Sequence, residues 1–71
     1  MDRWDYRIVR RQYADEVEYG IYQVYYLSRK PVSISREPQP ITADDIYHLK
    51  QNLDLVREAF EKGILNYEDF T

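Results

Sequence analysis

A chain of 71 residues with no cysteine and one histidine makes a single small domain, and it excludes both a disulfide framework and a Cys/His zinc site. With 32% charged and 44% apolar residues, the composition is that of a folded protein and not of a disordered one. The net charge of −3 is unevenly spread, with a balance of +2 in residues 1–36 and −5 in residues 37–71, an asymmetry that would orient any charged partner.

At this length apolar burial and ordering entropy nearly cancel, so the chain needs tight packing or a second chain. Tyrosine is the commonest residue, with 8 copies, and its apolar ring with a polar tip suits half-buried surfaces and interfaces. Mean hydropathy is −0.76. No apolar run is long enough for a signal peptide or a membrane span, so a cytoplasmic protein without membrane contact is expected.

Residues 4–13 read as a first strand, in which Trp4, Tyr6 and Ile8 alternate with Asp5, Arg7 and Val9. A polar loop over 14–18 leads to a second strand at 19–28. There Gly20 predicts a bulge or a close backbone approach. A turn at Arg29-Lys30-Pro31 precedes a short third strand at 32–36, and Pro38 and Pro40 end the sheet. The spacing then predicts a helix over about 43–62. Thr42 stands as N-cap with Asp45 three residues on, and Asp44 and Asp45 lie at the positive end of the dipole. Ile46, Leu49, Leu53, Val56 and Phe60 form an apolar stripe, and Gly63 is placed to end the helix in a left-handed conformation. Residues 64–70 read as an extended tail on the sheet edge.

The expected architecture is therefore α+β, a three-stranded antiparallel sheet with one helix packed on one face (β-β-β-α). Its core is expected from Trp4 or Tyr6, Ile8, Val24, Val32, Ile34, Ile46, Leu49, Leu53, Val56 and Phe60. The second strand is apolar on both faces, with Tyr19, Ile21, Tyr25 and Leu27 on one and Tyr22, Val24 and Tyr26 on the other. One helix covers one face, so the other calls for a partner, most simply a second copy of the chain.

Catalytic signals are weak. There is no nucleophile elbow, no calcium loop, and the two isolated glycines, Gly20 and Gly63, cannot form a phosphate-cradling loop. His48 with Asp44 and Asp45 fits an ordinary helical pair. The acids Asp54, Glu58 and Glu61 fit a solvated helix face. The expectation is a protein that is not an enzyme and holds no cofactor or metal. It would act as a protein-binding module through Tyr19, Tyr22, Tyr25 and Tyr26 or through Asp54, Glu58 and Glu61. The competing expectation is a nucleic-acid-binding sheet face built from Arg7, Arg11, Tyr13, Arg29, Lys30 and Arg36. The acidic overall balance weighs against it, since these arginines could instead pair with Asp5, Asp15, Glu16 and Glu18 across strands.

The segments Trp4-x-Tyr6-Arg7-Ile8-Val9, Tyr19-Gly20-Ile21-Tyr22-Gln23-Val24-Tyr25-Tyr26 and Lys30-Pro31-Val32, the acidic helix, and Ile64-Leu65-Asn66-Tyr67-Glu68-Asp69 together resemble a family of very short, uncharacterised bacterial and phage proteins. The chain departs from that pattern at Leu27-Ser28-Arg29-Lys30, where the family carries an acidic, glycine-containing loop. No catalytic motif or known activity comes with the resemblance. In size and charge the chain also resembles inhibitors of bacterial defence complexes, which implies action by occupying a surface on a host protein complex.

Overall fold

A computed structural model describes residues 3–70. Four strands and one helix follow in the order β1 (Arg3–Tyr13), β2 (Glu16–Leu27), β3 (Lys30–Ile34), α1 (Ile46–Ala59) and β4 (Leu65–Asn66), with a closing 3-10 turn at Tyr67–Phe70. The sheet order is β3-β2-β1-β4. The class is α+β with one helix, as expected, but the sheet is mixed. The tail contributes a fourth strand that pairs parallel to β1 through Val9 with Leu65 and Arg10 with Asn66.

β1 and β2 form a long hairpin with an unbroken register from Arg3 opposite Tyr26 to Tyr13 opposite Glu16. The connecting loop is only Ala14-Asp15, because Glu16, Val17 and Glu18 pair with β1 and do not belong to the loop. The register also runs straight through Gly20, so there is no bulge there. Instead the glycine admits a close approach. A Cβ on it would lie 3.2 Å from the Tyr22 ring and 3.3 Å from Pro38. The irregularity falls between β2 and β3, where Tyr25 faces Ser33 but Tyr26 faces Pro31, which leaves Val32 as an extra residue on the edge strand. Pro31 lacks an N–H, so an edge position beside a bulge costs the ladder least.

The second hairpin turn is Ser28-Arg29, one position earlier than expected, and both residues have positive φ (51° and 70°). Two consecutive left-handed residues are the geometry of the turn whose twist matches the sheet, usually filled by Asn-Gly. A serine and an arginine hold it here.

The side chains alternate, and only one sheet face is deeply buried. Val9, Tyr22, Val24 and Tyr26 lie together on it, and with Ala59 they make up the buried apolar core. This corrects most of the expected core. Val24 is buried, but Trp4, Val32, Ile46, Leu53 and Phe60 are exposed, and Tyr6, Ile8, Ile34, Leu49 and Val56 are half-buried.

The helix explains much of this shift. It begins at Ile46, since Asp45 is the N-cap and not Thr42. The Asp45 carboxylate accepts the His48 N–H at 2.8 Å, and Asp45 itself is extended. The helix ends at Ala59. Phe60, Glu61 and Lys62 then donate to Arg57, Glu58 and Ala59 carbonyls in a tightened last turn. No glycine has positive φ, so Gly63 does not act as a left-handed cap. Its carbonyl instead accepts the Arg7 guanidinium at 2.6 Å, while Lys62 reaches Asp5 at 2.6 Å. These ties anchor the end of α1 at β1, the strand it chiefly touches. The least exposed helix positions are Leu49, Asn52, Val56 and Ala59, so the helix is rolled away from the stripe ending in Phe60. Ala59 is the fully buried member of this set.

Candidate interaction surface

The buried face of the sheet is held by arginine–tyrosine pairs. Arg7 donates to the Tyr26 hydroxyl at 2.8 Å. Arg11 donates to the Tyr22 hydroxyl at 3.3 Å and to the Arg36 carbonyl at 2.9 Å, and its guanidinium lies 3.8 Å above the Tyr67 ring and 5.0 Å above that of Tyr13. Arg3 stacks on Tyr26 at 4.4 Å. The Arg11 pKa is raised, chiefly by its hydrogen bond to Tyr22, and that of Tyr13 is raised chiefly by desolvation.

Tyr22 and Tyr26 are thus core side chains, and they offer no surface to a partner. Two members of the proposed protein-binding set are lost to packing. Arg7 and Arg11, the centre of the proposed nucleic-acid face, already bind tyrosine hydroxyls and backbone carbonyls within the chain. Their partners are not the cross-strand acids weighed as an alternative. Of these two, Arg11 approaches a carboxylate among the described residues, that of Glu37 at 3.9 Å. Tyr13, Arg29, Lys30 and Arg36 are exposed, with Arg29 and Lys30 at the second hairpin turn.

The opposite face is largely apolar, with Gln23 and Arg10 among its side chains; its ends are exposed and its middle is half-buried. Trp4, Tyr6 and Ile8 of β1 share it with Tyr19, Ile21, Tyr25 and Leu27 of β2. Tyr19 is 59% exposed and Leu27 53%, Trp4 is exposed, and Tyr25 is half-buried opposite Trp4. Trp4 and Tyr6 pack edge to face at 5.4 Å between ring centres. Ile8, Tyr19, Gly20, Ile21 and Phe60 line a shallow open cleft of about 230 Å³.

Helix α1 carries a second apolar surface. Ile46 is 80% exposed, Leu53 48% and Phe60 71%, at spacings of seven residues along one line of the helix. Phe60 belongs both to this line and to the cleft wall, so the two apolar surfaces are continuous. Sequence reasoning assigned Trp4, Ile46, Leu53 and Phe60 to the core and so missed them here. The one available signal was the strict 3-4-3-4 spacing of the stripe, which describes a narrow seam where a helix on a sheet usually shows a broader apolar face. Asp54, Glu58 and Glu61 are exposed on the side of the helix turned away from Val56 and Ala59.

His48 pairs with Asp45 through Nδ1 at 2.7 Å, and both side chains are open to solvent. The Asp45 pKa is lowered, first by the His48 backbone N–H and then by the His48 side chain. Among the described residues no group of three His, Cys, Asp or Glu side chains could hold a metal ion, and no helix is long and apolar enough to cross a membrane. Comparison with protein-family models, with curated proteins and with solved structures finds no match to this chain.

Proposed function

We propose that the chain is a non-enzymatic protein-binding module of the cytoplasm, which modulates a host protein complex by occupying one of its surfaces. The observation that carries this reading is the exposure of Trp4, Tyr19, Leu27 and Phe60 on a chain with so small a buried core. Exposed aromatic and aliphatic side chains grouped in this way suit protein contact. The acids Asp54, Glu58 and Glu61 add a separate, solvent-facing negative surface suited to a basic protein groove. A nucleic-acid role draws less support, since Arg7 and Arg11 are engaged internally.

Photocrosslinking in the native host tests the reading. A benzophenone side chain at Tyr19 or at Glu58 should yield discrete protein adducts, including a protein other than the chain itself. Adducts with nucleic acid only, or none from either position, would overturn it.

A further inference from the structure

We infer that the open sheet face is covered by a second copy of the chain, with α1 of each copy laid against the sheet face of the other. The inference rests on the protein-binding reading and names the first occupant of that surface. Three observations support it.

The first is area. A monomer of 8.7 kDa is expected to expose about 4,700 Å², whereas this chain exposes 5385 Å². The surplus, roughly 650–700 Å² per chain, doubles on pairing to about 1,300–1,400 Å², within the range of a specific interface. The shape agrees. The radius of gyration is 12.7 Å, against about 11 Å for a compact chain of this length.

The second is complementarity within one molecule. The line from Ile46 through Leu53 to Phe60 is about 21 Å long at 1.5 Å per residue. The sheet row from Tyr19 to Leu27, apolar except for Gln23 at its middle, runs about 27 Å. An apolar helix seam and an apolar sheet face of matching length are the two layers an α+β core normally joins. Here α1 is anchored at β1 through Lys62–Asp5 and Arg7–Gly63; Phe60 alone of the seam reaches the sheet face, and Ile46 and Leu53 stay exposed, as do Trp4, Tyr19 and Leu27 at the ends of that face. A two-fold pair satisfies both at once, because each copy supplies one of each.

The third is continuity. Phe60 lines the cleft with Ile8, Tyr19 and Ile21 and also ends the helix seam. A patch that links the two surfaces is self-complementary about an axis passing near it. The acidic face of Asp54, Glu58 and Glu61 stays outside such a pair, free for another protein.

Sedimentation velocity of the full chain, with disulfide trapping, tests this. The absence of cysteine makes single introduced thiols unambiguous. A species of twice the chain mass is expected at low micromolar concentration. Leu53→Lys should weaken it about tenfold or more, and Gln51→Lys, on the far side of the helix, should not. Circular dichroism checks that both variants fold. Mixing Leu53→Cys with Tyr19→Cys protein should give mixed disulfide dimers in excess over either homodimer. A monomer throughout the micromolar range would overturn the inference, and so would Leu53→Cys homodimers as the main product. A monomer whose position 19 still crosslinks a different host protein overturns the second copy alone and leaves the protein-binding reading standing. A confirmed mixed dimer whose positions 19 and 58 crosslink only the chain itself does the reverse for any external partner.

Discussion

Arg7 on β1 and Tyr26 on β2 are joined across the buried sheet face by a 2.8 Å hydrogen bond from Nη1 to the phenol oxygen. The other end of the same guanidinium holds the Gly63 carbonyl beyond α1 at 2.6 Å. One side chain therefore links strand, neighbouring strand and helix end. Hydrogen bonds to a charged group in such a setting contribute more than neutral ones. Tyr26→Phe should destabilise the fold by about 2 kcal/mol, a loss on the order of 10 °C in Tm, measured by thermal denaturation. An unchanged Tm would show that Arg7 finds an equivalent partner.

The two glycines should respond oppositely to alanine. At Gly20 the new methyl would meet the fully buried Tyr22 ring and Pro38 at 3.2 and 3.3 Å, and neither neighbour can yield easily. Gly20→Ala should cost about 1–2 kcal/mol. At Gly63 the only neighbour is the Arg7 guanidinium at 3.9 Å, and φ is not left-handed. Gly63→Ala should be neutral or stabilise by about 0.5 kcal/mol through the unfolded chain. Urea denaturation of both variants measures the contrast.

The Ser28-Arg29 turn keeps two non-glycine residues at positive φ, a region where side chains other than those of Asn and Asp are disfavoured. Replacing the pair by Asn-Gly should stabilise the hairpin by about 1 kcal/mol, read as a rise in the urea midpoint with unchanged slope. A fall would mean that the contacts of Ser28 or Arg29 are worth more than the backbone relief.

Asp45 caps α1, and its pKa is lowered first by the His48 backbone N–H. A carboxylate with a depressed native pKa stabilises the fold above the unfolded value and loses that contribution as pH falls through the native one. The Asp45→Ala variant should therefore be less stable than the parent at neutral pH. The difference should shrink as pH drops below the ordinary aspartate range, near about 3.9. Paired thermal scans across that range measure it, and a gap independent of pH would assign the effect to something other than the cap.

The apolar excess of a strand with tyrosines on both sides was legible without coordinates. So were the hairpin and the helix. These follow from residue alternation, helical spacing and proline chemistry, which act locally. Which face became the core was not legible, because Tyr22 and Tyr26 look no different in sequence from Tyr19 and Tyr25. Tertiary structure made that choice by bringing Arg7 and Arg11 under the Tyr26 and Tyr22 hydroxyls, so that buried phenols found charged partners. The parallel strand at Leu65-Asn66 and the roll of α1 onto Ala59 likewise depend on long-range ties, from Arg7 to Gly63 and from Asp5 to Lys62. No local pattern encodes contacts between residues more than fifty positions apart. The tyrosine excess was visible in the composition; only the fold divided it between a core and an open surface.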